Sequence, residues 1–131
     1  MGGFSDYWEN KILDHIFGKG SYTPPTIYMG LSTADPADDG SGLSEPSGNG
    51  YTRTQTSPSN WNVASNGSLN NTADITFAQA TGSWGTITHF ALFDAASTGN
   101  MLAHGVLSQS KTIGNSDTAQ FQAGDLDISL D

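Results

Sequence analysis

Beyond Pro24 and Pro25 the apolar residues of this chain stop following a helical period and fall into short runs cut by Gly, Pro, Asn and Ser turns. Such punctuation leaves no room for a helical bundle and predicts a sheet. Residues 26–31 read as the first strand, with 51–55, 61–63 and 74–77 as short successors. The run 86–93 is the most apolar, and its Phe90 and Leu92 alternate with Ile87, Ala91 and Phe93, so both faces are expected to be covered and the strand to be central. A polar turn at 95–100 leads into a return strand at 101–107, which makes a hairpin. Residues 118–121 and 125–130 form a last pair, in which Leu126, Ile128 and Leu130 alternate with Asp125, Asp127 and Ser129. A slip of one residue there would bury the carboxylates, so the register is strongly specified. About seven or eight short strands behind one helix predict a mainly β fold, an antiparallel β-sandwich of jelly-roll or immunoglobulin-like type. A chain of 131 residues is expected to form one domain spanning 1–131.

The helix is the single exception to the short strands. Over residues 5–17, Trp8 is followed by Ile12, Leu13, Ile16 and Phe17 at spacings of four, five, eight and nine, which fall on one face. Ser5 or Asp6 can cap its start, Glu9 can complete a capping box, and Gly18 can end it. A helix this short needs its apolar stripe docked, either on its own domain or on a neighbouring subunit.

Residues 34–50 are too rich in Gly, Pro and acids for regular structure and are expected to be an exposed excursion facing solvent or a neighbour. Asp35, Asp38, Asp39 and Glu45 would suit calcium in kind but not in spacing, because an EF-hand counted from Asp35 puts Ala37 third and Pro46 twelfth. Of the histidines, His15 has no partner one helical turn on, and His89 and His104 on neighbouring strands would supply only two ligands. No metal or cofactor is expected. The chain lacks cysteine, a nucleophile elbow and a phosphate loop, so no catalytic residue is assigned and no enzyme is expected. Thirteen acids against four bases leave a net charge of −9, which repels nucleic acid. No apolar run is long enough for a membrane span, and no signal peptide is recognisable at the start.

Three segments carry a likeness to a known group: Ser5 to Gly18, with its Tyr7-Trp8-Glu9-Asn10 opening; Tyr22 to Thr33, with Pro24-Pro25; and Gly82-Ser83-Trp84-Gly85 running on to Thr88-His89-Phe90-Ala91-Leu92-Phe93-Asp94. Together with Gly124-Asp125-Leu126 they resemble small virion structural proteins of tailed bacteriophages and prophages, often described as tail-fibre proteins. The resemblance implies a virion surface component made in the host cytoplasm, without a signal peptide. A shaft needs length, repeats or heptads, none of which is present, so the expected role is a head decoration or cement protein on the outer capsid surface. Its partners would be the major capsid protein or other virion proteins, and it would assemble as a homo-oligomer, most simply a trimer. Phe4, Tyr7, Trp8, Ile12, Ile16, Tyr22 and Tyr28 are the candidate subunit or capsid contacts. The alternative is a tail-fibre or tail-appendage domain touching the host surface, with Trp61 and the amides of Asn60 and Asn62 as candidate glycan contacts.

Overall fold

The computed structural model describes residues 2–130. In chain order the elements are β1 (Gly2–Phe4), α1 (Asp6–Ile16), β2 (Tyr28–Ser32), β3 (Thr54–Gln55), a 3-10 turn (Pro58–Asn60), β4 (Ser68–Asn70), β5 (Ile75–Thr76), β6 (Gly85–Phe93), β7 (Met101–Ile113), β8 (Gln120–Phe121) and β9 (Asp127–Ser129). Seven strands form one curled sheet in the order β3-β2-β6-β7-β1-β9-β4, and β5 and β8 pair as a separate ribbon. The mainly β expectation stands, and the antiparallel sandwich is corrected to a mixed sheet.

Two physical causes separate the outcome from the expectation. First, β1 inserts between β7 and β9, antiparallel to the one and parallel to the other, with Gly2 opposite both Gly105 and Ile128. Its Gly-Gly-Phe sequence carries no periodicity, yet glycine is what the position requires: a Cβ on Gly2 would lie 2.7 Å from the Phe90 ring and 2.9 Å from the His104 carbonyl oxygen. Second, β5 and β8 pair over only two residues each, too little to make the second face of a sandwich.

The β6–β7 hairpin forms as expected, but β7 runs on to Ile113. Register shifts between Ile87 and His89 and between Leu92 and Phe93 let Ile87, Phe90 and Leu92 share the main core with Met29, Leu31, Phe77, Trp84 and Ile128. Ala91, Phe93 and Met101 form a smaller cluster on the other side of β6, against Tyr28 and Leu43. Both faces of β6 are therefore covered. In the last strand Leu126 and Ile128 are buried while Asp125 and Asp127 are exposed, as the alternation requires.

The excursion at 34–50 is mostly exposed, as expected, but it is not free of the domain. It folds back toward the reverse face, burying Pro36, pairing Thr33 N–H with the Ser44 carbonyl at 2.9 Å and packing Leu43 on Phe93 and its neighbours. Each of its acids acquires a protein partner, as described below.

Ser5 anchors the helix. Its Oγ accepts from Trp8 N–H at 3.3 Å and donates to the Met101 carbonyl, while its own N–H bonds Leu102 O at 2.8 Å. Ser5→Ala is expected to cost about 1–2 kcal/mol, a cap plus a buried hydrogen bond, read from a urea midpoint at unchanged slope. Phe17 is the C-cap, and Gly18 takes a φ of +72° that lets the chain turn away. The stripe docks over only half its length: no α1 residue is buried, Trp8 and Ile12 are half-buried, and Leu13, Ile16 and Phe17 are exposed.

Candidate functional site

A sheet curled this way has more inner face than a two-stranded ribbon can cover. The uncovered part is a cleft of about 790 Å³. Leu92, Ile128, Leu69 and Phe4 belong to the sheet; Trp8 and Ile12 come from α1; Pro24, Pro25 and Ile27 precede and enter β2; Pro58 and Trp61 close the side beyond β3. Among the described residues, none that lines it is ionisable. Phe4 and Trp8 hold one another, with ring centroids 4.4 Å apart at 38°.

Trp61 is placed by a chain of bonds that ends in the sheet. Its Nε1–H donates to Thr56 Oγ1 at 3.1 Å, and that hydroxyl donates to the Ile27 carbonyl at 2.9 Å. The one donor of the indole is thereby used, and the ring serves as an apolar wall. The neighbouring amides are used as well. Asn60 Oδ1 accepts from Ser57 N–H at 2.8 Å, capping the 3-10 turn, and Asn62 exchanges two bonds with Asn70, at 2.6 Å and 3.0 Å. A glycan bound at Trp61 would find stacking surface beside two amides whose oxygens already accept internal bonds.

The expected contact residues divide between two faces. Phe4, Trp8 and Ile12 line the cleft, where Trp61 joins them, and Ile16 lies one turn beyond at 67% exposure. Tyr7 borders a second cavity of about 480 Å³ with Arg53, Phe93 and Met101, and Tyr28 packs on the reverse-face cluster. The Tyr22 hydroxyl is shut off from water, and burial raises its pKa, with Tyr7 adding to the rise and Trp8 opposing it. Pro24 and Pro25 lie in the edge between the candidates Tyr22 and Tyr28, whereas sequence reasoning missed Leu69 and Leu130 as lining.

On the reverse side the acidic loop is fastened at separate points. Glu45 takes Arg53 in a two-oxygen pairing, Nε to Oε1 at 3.0 Å and an Nη to Oε2 at 2.7 Å, while Tyr51 O–H donates to Oε1 at 2.7 Å. Burial pushes the Tyr51 phenol well above its ordinary value. Asp38 Oδ1 lies within hydrogen-bond distance of His104 Nε2, at 2.7 Å, and Asp35 stands 3.3 Å from His89 Nε2. Asp39 accepts from Ser41, which holds its carboxyl below the usual range. Four carboxylates with four different partners do not converge on one ion. His89 and His104 are not opposite each other either, since His89 faces Val106 and His104 faces Ala91. Among the described residues no three His, Asp or Glu groups are arranged to hold a metal, and no helix is long and apolar enough to cross a membrane.

The fold and cleft define a β-rich protein with one amphipathic helix and an apolar cleft on the inner face of its curled sheet. The chain belongs to the family described as Podophage GP4 fiber I protein gp80, whose pattern it matches over residues 3–129. It is a bacteriophage virion structural protein of tail-fibre kind, in agreement with the resemblance carried by its three segments. No curated protein matches it.

Proposed function

We propose that this chain is a tail-fibre or tail-appendage component that binds other virion proteins through its apolar cleft and carries out no reaction. The family match moves the role away from head decoration and toward the tail. The observation that carries the reading is the cleft itself: an opening of about 790 Å³ between Phe4, Trp8, Ile12 and Trp61, with no ionisable group among the described residues of its lining. An apolar cleft on the surface suits a contact with another protein or a ligand groove, and for a structural part of a virion the first is favoured. Reaction chemistry would call for converging polar groups.

Two measurements test it. In purified particles the chain should be present in tens of copies, against hundreds of the major capsid protein; a near-stoichiometric ratio would return it to the head. Ile12→Asp puts a carboxylate into the cleft wall at a half-buried position. The variant should still fold by circular dichroism and should be depleted at least about tenfold from particles, the equivalent of 1.4 kcal/mol or more of contact energy. Full incorporation would sink the cleft as the attachment surface.

A further inference from the structure

We propose that a slot between β7 and β8 receives an extended strand of another polypeptide, one in which basic and apolar residues alternate. The slot lies apart from the apolar cleft, and the proposal does not depend on the role given to that cleft. β7 and β8 are consecutive strands joined by residues 114–119 alone, and consecutive strands usually lie side by side. These two do not pair: β7 bonds β6 and β1, and β8 bonds β5. A cavity of about 670 Å³ is lined by both, through Val106, Leu107 and Lys111 on one side and Asp117, Gln120 and Phe121 on the other. Each wall has unused pairing capacity. β1 covers β7 only from Ala103 to Gly105, and past Gly105 no strand among the described residues pairs with β7 on that side. On the other wall the carbonyls of Asp117 and Ala119 accept from Ala80 N–H at 2.8 Å and Phe77 N–H at 2.9 Å, so these residues face the ribbon. Strand alternation then turns the backbone groups of Thr118 and Gln120 away from it. Open N–H and C=O groups along a strand edge are what recognition by strand addition uses.

The lining selects the chemistry of the strand. Successive residues of an inserted strand point to opposite sides, so one row would meet the apolar lining, Ile87, Phe90 and Phe121, and the other the rim. There Asp117, Asp125 and Asp127, all exposed, stand against Lys111 alone. The first row calls for aliphatic side chains and the second for Lys or Arg. Val106, 55% exposed, adds dry surface that its own fold leaves uncovered. No segment of this chain meets that description. From Val106 to Thr112 a strand has a reach of seven residues at about 3.3 Å each, and no two of the bases Lys11, Lys19, Arg53 and Lys111 fall within such a length. A second copy would bring acids to an acidic rim, so the occupant is a different chain. Ile87 faces Lys111 and His89 faces Val106, which leaves residues 107–110 bulged opposite Thr88. The bulge and the charge of Lys111 guard the edge against indiscriminate pairing and oblige a partner to fit its outline.

The test takes the full chain, isotopically labelled, and a capped synthetic peptide in which Lys and Val alternate over about seven residues. On titration the amide resonances of residues 106–112, Thr118 and Gln120 should shift and exchange with solvent at least about tenfold more slowly, with a Kd of about 100 μM or tighter. The same peptide with Glu in place of Lys should bind at least about tenfold more weakly. Methylating alternate backbone nitrogens of the Lys-Val peptide removes strand donors and keeps the charge, and should weaken binding to a similar degree, about tenfold. Asp127→Lys changes an exposed side chain, so it should leave the circular dichroism unaltered and loosen the Lys-Val peptide at least about tenfold. Absence of slot shifts at about 1 mM peptide would overturn the proposal, as would binding indifferent to backbone methylation, which is attraction of charge alone. Protection of the same amides in the free chain that grows with protein concentration would give the slot to a second copy and overturn it equally. None of these outcomes bears on the copy number or on Ile12→Asp, which test the cleft.

Discussion

Arg53→Met is expected to destabilise the fold by about 3–5 kcal/mol, the cost of leaving one partner of a buried ion pair without the other. The guanidinium makes more contacts than any other side chain of the reverse face. It spans both oxygens of Glu45, donates to the carbonyls of Ala95 and Thr98 at 2.8 Å each, and lies 3.5 Å from the centroid of the Phe93 ring. The Arg53 side chain is 6% exposed and that of Glu45 21%, so solvent screens the pair little. Through this one residue the 34–50 excursion, β3's approach and the turn between β6 and β7 are tied together. For a chain of this size the loss corresponds to a fall in melting temperature of roughly 10–20 °C, measured by thermal circular dichroism. Arg53→Lys should recover little of it, since an ammonium cannot make the paired contact with both oxygens and still reach two carbonyls. The double variant Arg53→Met with Glu45→Gln should be more stable than Arg53→Met alone, because it removes the orphaned carboxylate. A melting shift under about 3 °C for Arg53→Met would mean that the network is solvated and holds nothing.

The second large effect is expected at Asn71, which is 1% exposed and fully committed. Its Nδ2 donates to the carbonyls of Ala73 and Gln122, at 3.0 Å and 2.9 Å, and its Oδ1 accepts from Leu126 N–H at 2.9 Å. Its backbone oxygen takes Gly124 N–H at 2.7 Å, and its backbone bridges Trp61. One side chain thus stitches the turn before β5 to the turn before β9 and holds the strip that positions the Trp61 wall. Asn71→Ala strands one buried and two partly buried backbone groups and is expected to cost about 3 kcal/mol. Asn71→Asp should be worse still, because it keeps the bond to Leu126 and turns a buried anion toward two carbonyl oxygens. Hydrogen exchange separates the two: the Leu126 amide should lose protection relative to its neighbours in the alanine variant and less so in the aspartate variant. Equal stability of wild type and Asn71→Asp would show that water replaces these bonds.

Local features that can be read from a few consecutive residues came through well. The capped helix, the β6–β7 hairpin and the alternation of Leu126 and Ile128 with their acidic neighbours all appear where their side-chain periods place them. Short pairings were less legible. β4 falls between the expected runs 61–63 and 74–77, where Ser68-Leu69-Asn70 has neither length nor alternation to announce it. The acidic excursion looked like a solvated loop because its carboxylates stand far in sequence from the Arg53, His89 and His104 side chains that receive them. Aromatic candidates were found individually, but Trp8 and Trp61 are brought to one cleft only by the path of the sheet between them.

Sequence alone determined that this chain is β-rich with one amphipathic helix, that its acids outnumber its bases thirteen to four, and that its three motif segments are of a phage virion kind. Those properties depend on composition and on neighbours within a turn or a strand. Tertiary structure decided that the first three described residues enter the sheet beside the last strand, that the excursion closes on the reverse face, and that the helix stripe is left half in solvent. Each of these depends on which distant surface is still free when two elements meet, a quantity that no local period encodes.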